Sequence, residues 1–183
     1  GFDGIVGNPP YAGHYTLSLG NHEYYSEFLH WVYPESGGKC DLVAYFFRRA
    51  FVVLRSGGVF GLLATKTIAQ GDTRQSGLTF ICQNGGFIFD AISRVPWPGQ
   101  AQVFVTSVCL QKAIPPHAFL LDGKSVRRIS AYLKDFPIDG SPMQLTGSMG
   151  FTSYQGCVLR GDGFLFEDGN SAASPVSEMH ELI

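Results

Sequence analysis

The stretch Phe2-Asp3-Gly4-Ile5-Val6-Gly7-Asn8-Pro9-Pro10-Tyr11 combines a mostly apolar run with an abrupt stop. Residues 2–7 predict a short strand of the kind that parallel sheets bury on both faces. Proline cannot donate a backbone N–H to a neighbouring strand, so this strand is expected to end before Pro9. Because ligands bind beyond the carboxyl ends of strands in open α/β sheets, Asn8 is a candidate site residue.

Helices and strands alternate behind this first strand. Their ends are marked by glycine pairs, prolines and capping residues, and their interiors by the spacing of apolar residues. The predicted elements are helices at residues 23–33, 42–55 and 72–83, and strands at residues 59–64, 87–94 and 103–111. We expect the last two strands to form an antiparallel hairpin at the edge of the sheet. This order predicts an α/β fold built on an open sheet.

Several helix ends carry specific signals. Asp41 is a suitable N-cap for the helix at residues 42–55, and Gly57-Gly58 is expected to end it. Asp72 or Thr73 is expected to cap the next helix in the same way. A further helix is predicted around residues 129–133, where apolar residues return at helical spacing.

The chain changes in composition after its fourth predicted strand. Residues 113–118 are rich in proline and predict a linker, so we divide the chain into residues 1–112, this linker and residues 119–183. A short strand or turn is expected at Asp122-Gly123. From residue 139 on, Gly, Ser and Pro are frequent, which predicts the start of a mixed β and loop region.

Composition limits the classes of function. The chain has 183 residues, a net charge of −2 and 15% charged residues, whereas a nucleic-acid-binding face is usually basic. Any such face would depend on local cations, of which the candidates are Arg48, Arg49, Lys66, Arg74 and Arg94. The four cysteines and five histidines show no metal-binding spacing, so we expect free thiols and no metal. No apolar stretch approaches the roughly 20 residues of a membrane span.

Residues 8–11 have the chemistry to hold a flat heterocycle that bears an amino group. The side-chain oxygen of Asn8 and the carbonyl of Pro9 can accept hydrogen bonds in one plane. The ring of Tyr11 offers a face on which the heterocycle can stack. A simpler interpretation is a strand that ends in a proline-rich turn.

This segment resembles the catalytic motif of amino-methylating DNA methyltransferases, in which Asp, Asn or Ser precedes Pro-Pro and an aromatic residue. Residues 41–47 and 54–63 resemble the helix and the strand that follow in Eco57I-like adenine methyltransferases. Segments between residues 121 and 164 resemble the part that follows the catalytic domain in large Eco57I-like and MmeI-like modification enzymes. The resemblance implies a partial Rossmann-like class I methyltransferase sheet, from its fourth to its seventh strand. It also implies S-adenosylmethionine as cofactor and double-stranded DNA with a flipped adenine as substrate.

The resemblance implies roles for the residues of the first loop. Asn8, Pro9, Pro10 and Tyr11 are the implied catalytic residues, with Asn8 and Pro9 accepting hydrogen bonds from adenine N6 and Tyr11 stacking on the base. Asn8 also has an implied place in cofactor binding, together with Asp41. For Asp41 an ordinary role as a helix cap is the alternative.

Three more residues have implied contacts with the substrate. Trp97, which precedes the last strand, matches an aromatic residue that stacks on the other face of the flipped base. Lys66 and Gln70 follow a strand and have implied contacts with phosphate or a base edge. The alternatives are a Trp97 packed under a proline-rich turn and a solvated loop around Lys66 and Gln70.

The chain is expected to be a piece of a longer protein, because it starts with Gly1 rather than Met and the first predicted strand begins at once. The resemblance implies that the cofactor-binding motif precedes it, and that nuclease and target-recognition parts are fused or associated. It also implies a cytoplasmic protein of a bacterium or archaeon. Two alternatives to DNA adenine methylation stay open: methylation of RNA or of a protein glutamine, and a non-catalytic DNA-binding or specificity subunit.

Overall fold

The structure, a computed structural model, describes residues 1–13, 24–97, 104–136, 166, 168–169 and 174–182. The chain forms two compact units, Gly1–Pro142 and Met143–Ile183. In the second unit, the helix Val176–Leu182 begins where the carboxylate of Asp168 accepts a hydrogen bond from Val176 N at 3.0 Å. The mixed β and loop region predicted from residue 139 lies mostly outside the described residues, and this helix was not expected in it.

The first unit contains the remaining helices and all six strands of the described sheet. The strands are β1 (Phe2–Gly7), β2 (Leu54–Ala64), β3 (Gly86–Pro96), β4 (Phe104–Lys112), β5 (Phe119–Leu121) and β6 (Lys124–Val126). The helices are α1 (Tyr25–Val32), α2 (Leu42–Val53), a 3₁₀ helix (Lys66–Ala69), α3 (Gly71–Arg74), a π-helical turn (Gln75–Thr79) and α4 (Phe80–Gln83). The last three run into one another, and together they are called the helical segment 71–83.

The six strands lie in the order β1-β2-β4-β3-β5-β6. β1 and β2 are parallel, and β4 is inserted antiparallel between β2 and β3. The carboxyl ends of β1, β2 and β3 therefore meet at one edge of the sheet. The α/β class and the antiparallel hairpin are confirmed. The hairpin is not at the edge as predicted, because β5 pairs with β3 and β6 extends the sheet further.

The first strand is correct in its bounds but not in its predicted burial. Among the described residues β1 has one neighbouring strand, β2, so its side chains are only half covered. Val6 is 91% exposed and Phe2 is 62% exposed. Exposed apolar side chains therefore lie at the β1 edge of the sheet in the first unit.

The main core lies between α2, the helical segment 71–83 and the sheet. Phe47 of α2 meets Phe60 of β2 edge-on, with 5.5 Å between ring centroids. The ammonium group of Lys112 lies under the carboxyl end of α2. Its Nζ donates to the carbonyl oxygens of Phe51 at 2.8 Å, Val52 at 3.1 Å and Leu54 at 2.8 Å. These carbonyls belong to the last turn of the helix and its cap, so Lys112 takes the place of a conventional C-cap.

Gly57-Gly58 does not end α2. The helix already ends at Val53, and Leu54 is the extended C-cap residue that opens β2. The glycines instead form an irregularity inside β2, where Gly57 has a φ of +75°. A Cβ on Gly58 would lie 2.8 Å from the carbonyl oxygen of Phe2, so the glycine allows β1 to approach closely.

Asp72 and Thr73 do not cap the helical segment either. Gln70 is the N-cap residue of α3, and both predicted caps lie inside the helix. Their side chains accept hydrogen bonds from the backbone of the preceding loop instead. Asp72 Oδ2 accepts from Lys39 N at 2.9 Å, and Thr73 Oγ1 accepts from Asp41 N at 3.0 Å.

The region after β4 departs from prediction at one point. Residues 127–136 contain turns and no helix, although Ile129 and Leu133 are buried in the core as their apolar character suggested. Leu133 has a φ of +53°, which interrupts any regular helix there. Asp122 and Gly123 form the turn expected of them, both with positive φ, as a two-residue hairpin requires. The boundary predicted at residues 113–118 stays a prediction.

Candidate active site

Asn8 lies where β1 ends, at the edge of the sheet where β2 and β3 also end. Asn8 is exposed, whereas Pro9 is buried. Tyr11 is half-buried, packs against the main core and donates its hydroxyl to Asn8 Oδ1. The buried Pro9 and the packed ring of Tyr11 hold the loop in place, so that the amide of Asn8 is exposed to solvent in a fixed position.

Asp41 connects the loop that follows Asn8 to the start of α2 through hydrogen bonds. Its side chain is 8% exposed, and Oδ1 accepts hydrogen bonds from Val43 N at 3.0 Å and from Ala12 N at 3.3 Å. In the other direction, Leu42 N donates to the carbonyl of Ala12 at 3.0 Å. The predicted N-cap role of Asp41 is confirmed. The structure adds that the same oxygen holds the residue that follows Tyr11.

Residues 8–12 and Asp41 form a corner at the end of β1, which is called the corner at Asn8. Its electrostatics keep the Tyr11 phenol protonated. Burial, and to a smaller extent the negative charge of Asp41, raises the pKa of Tyr11 above its usual value. At neutral pH its O–H is therefore a donor. Asn8 Oδ1 has two lone pairs, so it can accept from Tyr11 and from a second donor at the same time.

Lys66 and Gln70 follow the carboxyl end of β2, at the same edge as Asn8. Both are exposed, Lys66 at the start of the 3₁₀ helix and Gln70 directly after it. Gln70 lines a cleft of about 520 Å³. The other lining residues are Ala69, Gly71, Asp72, Arg74, Gln75 and Tyr132.

Trp97 is half-buried and follows the carboxyl end of β3. The strand pairings place Gly7, Leu62, Val108 and Ala91 at one level across the sheet. Pro96 pairs with Phe104, further along the hairpin. Trp97 therefore lies beyond Asn8 by about four residue levels, roughly 13 Å along the strands, and about 14 Å across three strand spacings. The register does not set Trp97 opposite Tyr11, and their sandwich around a base stays a prediction.

The structure also indicates a role for Arg74, which the sequence identified only as one of several basic residues. It lies in the helical segment 71–83 and is 3% exposed. An arginine in a helix usually marks a solvated face, so burial was not to be expected from its sequence position. Within the described parts of the chain, no group of three or more His, Cys, Asp or Glu residues could hold a metal ion.

The fold and the corner at Asn8 together define an α/β domain with an amide-Pro-Pro-aromatic loop after its first strand. Residues 1–85 match the family model described as Eco57I restriction-modification methylase. The predicted resemblance to Eco57I-like enzymes is thereby confirmed for this segment, which includes the loop, α2, β2 and the helical segment 71–83.

One solved structure shares this fold. The type IIL restriction-modification enzyme MmeI, solved in complex with DNA, matches 72% of this chain at 21% identity with a TM-score of 0.57. The match covers 19% of the MmeI chain, so the present chain spans about a fifth of that protein. A putative class I S-adenosylmethionine-dependent methyltransferase from Listeria monocytogenes has 18% identity over 64% of this chain and 35% of its own, with a TM-score of 0.47.

A comparison with curated sequences and a search of the described residues for membrane spans were both negative. No curated protein sequence matches the chain. Among the helices that the structure describes, none has the length and apolar character needed to cross a membrane.

Proposed function

We propose that the protein transfers a methyl group from S-adenosylmethionine to N6 of an adenine flipped out of double-stranded DNA. The observation that carries this proposal is the exposed Asn8 amide at the carboxyl end of β1, beside the packed ring of Tyr11. An enzyme that modifies a base lifts it from the duplex and holds it by its edge and its face. Asn8 offers acceptors for the edge, and Tyr11 offers a wall for the face.

The residues of the loop have distinct roles in this reaction. N6 of adenine is a weak nucleophile because its lone pair is delocalised into the ring. Asn8 Oδ1 and the Pro9 carbonyl accept hydrogen bonds from its two N–H groups. These bonds favour a pyramidal nitrogen with the lone pair directed out of the ring plane. Much of the rate then comes from holding this nitrogen in line for transfer. The nitrogen loses one proton to water after the new N–C bond has formed.

The cofactor supplies an electrophilic methyl group on a sulfonium, which leaves as a neutral thioether. The exposed amide of Asn8 and the carboxylate of Asp41 fit a role beside such a cation, because both present oxygen. For Asp41 this role falls to Oδ2, since Oδ1 already accepts from two backbone groups.

The substrate side of the proposal involves three further residues. Lys66 and Gln70 are exposed at the edge that carries Asn8, where DNA would approach. Trp97 would form the second wall around the base, which requires the end of the β3–β4 hairpin to bend toward Tyr11. Nuclease and target-recognition parts, fused or associated, would complete a restriction-modification protein.

The test is methyl transfer by the whole protein with labelled cofactor. Asn8→Ala is compared with Asn84→Ala, which removes another exposed amide at the end of the helical segment. We expect Asn8→Ala to lower transfer to DNA by about 10³-fold with an unchanged circular dichroism spectrum, and Asn84→Ala to stay near wild type.

Three outcomes would contradict the proposal. Full activity of Asn8→Ala would remove the role of the amide. Label in RNA or in a protein glutamine, and not in DNA, would replace the substrate. DNA binding by the wild type without any methyl transfer would favour a non-catalytic specificity subunit.

A further inference from the structure

Arg74 is a buried cation that forms no ion pair with a described carboxylate. It is 3% exposed, and its Nη1 donates to the neutral hydroxyl of Thr79 at 2.7 Å. Its guanidinium lies over the ring of Tyr132, 4.0 Å from the centroid. Within the described residues the single ion pair joins Arg55 to Asp3, so no described carboxylate pairs with Arg74. Burying an uncompensated charge is costly, which points to an anionic partner that the described residues do not supply.

The local backbone holds this guanidinium in place. Arg74 is followed by the π-helical turn Gln75–Thr79, which brings Thr79 under the arginine five residues earlier. π-Helical turns are rare and often accompany functional sites. The stack on Tyr132 from the loop after β6 fixes the other side of the group. Arg74 is therefore held in one orientation by neutral neighbours.

Arg74 lines the cleft of about 520 Å³ together with the polar residues Gln70, Asp72 and Gln75. The exposed Gln70 brings an amide N–H that can donate to an anion. The other charged residue in the lining of the cleft is Asp72. Its Oδ2 accepts a hydrogen bond from Lys39 N, and its carboxyl group packs against Gly37. The carboxylate of Asp72 is thus engaged by the loop before α2.

The cleft lies at the same edge of the sheet as Asn8 and is tied to the loop that contains it. Thr73, next to Arg74, accepts a hydrogen bond from Asp41 N, and Asp41 Oδ1 accepts one from Ala12 N. These two bonds connect the wall of the cleft to the residue after Tyr11. The corner at Asn8 and the cleft are therefore linked through Thr73, Asp41 and Ala12.

We propose that this cleft binds one phosphodiester group of the nucleic acid whose base enters the corner at Asn8, with Arg74 as the charged donor. The inference rests on the proposed function and deepens it, since it names a backbone contact beside the target nucleotide. Arginine suits this task because its planar fork can donate two parallel hydrogen bonds to phosphate oxygens. The contact positions the strand and is independent of base sequence.

The experiment measures DNA affinity of the whole protein against salt concentration. Neutralising one phosphate contact should make the slope of log affinity against log salt shallower by about one. Arg74→Met removes the charge in the cleft, and Arg74→Lys retains it. The matched control is Arg55→Met, which removes an equal charge at the amino end of β1, the opposite edge of the sheet from Asn8. Since Arg74 is buried, Gln75→Glu is a second variant that adds a negative charge at the exposed rim, with Gln83→Glu as its control.

A second arm uses DNA with single neutral methylphosphonate linkages around the target adenine. One linkage should weaken wild-type binding about tenfold or more and have little effect on Arg74→Met. Gln75→Glu should weaken binding to ordinary DNA, whereas Gln83→Glu should not. Arg74→Lys should restore the wild-type slope.

The outcomes separate this inference from the proposed function. If the wild type binds and methylates DNA but folded Arg74→Met keeps its slope and its methylphosphonate profile, the phosphodiester site is wrong and the function stands. If Arg74→Met keeps its DNA affinity and salt slope but loses affinity for S-adenosylmethionine or for inorganic phosphate, the anion is not the DNA backbone. If the wild type does not bind DNA, the proposed function fails and takes this inference with it.

Discussion

The carboxylate of Asp41 accepts a hydrogen bond from the backbone N–H of Ala12 at 3.3 Å. The same oxygen caps α2 through Val43 N at 3.0 Å. One side chain therefore stabilises the first turn of a core helix and holds the loop that presents Asn8. Because the oxygen is shared, loss of the cap and displacement of the loop should occur together.

Asp41→Ala should lower both stability and activity. Loss of an N-cap costs about 0.5–2 kcal/mol, and here the bond to Ala12 is lost as well, so we expect about 1–2 kcal/mol in urea unfolding. Asp41→Asn keeps one acceptor oxygen and should retain most of this stability. If the charge of Asp41 also serves the cofactor, Asp41→Asn will weaken cofactor binding while the urea midpoint stays near wild type. Equal cofactor affinity in Asp41→Asn and wild type would limit Asp41 to its role as a cap.

Tyr11 allows the hydrogen bond to Asn8 and the stacking face to be tested separately. Tyr11→Phe removes the donor but keeps the ring, and we expect kcat for methyl transfer to fall by roughly 2- to 10-fold. Tyr11→Ala also removes the wall and should lower kcat/KM by a further factor of roughly 10 to 100. Steady-state kinetics with a short DNA duplex would measure both. Equal activity of Tyr11→Ala and Tyr11→Phe would show that no base stacks on this ring.

The parts of the fold set by neighbouring residues could be predicted from the sequence. Pro9 and Pro10 end β1 because proline has no backbone N–H to donate. Asp41 caps the helix that starts one residue later. The α/β class follows from the alternation of such elements. In each case the signal and its effect lie within a few residues of each other.

The errors arose where the partner is distant in sequence. Asp72 and Thr73 have the composition of N-caps, but their acceptor oxygens are used by Lys39 N and Asp41 N, 33 and 32 residues away. The burial of Arg74 depends on Tyr132 in a loop where a helix was predicted. Sequence patterns do not show such contacts, and they are the ones that shape the cleft.

Lys112 should contribute to stability through the end of α2. Its ammonium group donates to three carbonyl oxygens that have no partner within the helix. Lys112→Met keeps the apolar stem and leaves these carbonyls unpaired, so we expect a loss of about 1–3 kcal/mol in urea unfolding. The control is Lys124→Met in β6, an exposed position where a change within about 0.5 kcal/mol is expected. If both variants lose the same small amount, Lys112 does not act as a cap.

Cys40 predicts how stability depends on alkaline pH. Its thiol is 3% exposed, and burial raises its pKa from 9.0 to about 11. Between these values the thiol ionises in the unfolded chain while it stays protonated in the folded one. The stabilising contribution is therefore complete below about pH 9 and is lost as the pH rises toward 11.

Urea unfolding of the wild type and of Cys40→Ala at pH 8 and pH 11 measures this contribution. The free energy of unfolding should fall by about 1–3 kcal/mol more in the wild type than in Cys40→Ala. Burial, and to a smaller extent Cys40, raises the pKa of Tyr45 to about 12, so the comparison measures the Cys40 thiol together with its interaction with Tyr45. An identical fall in both proteins would mean that the Cys40 thiol reaches solvent and titrates normally in the folded chain.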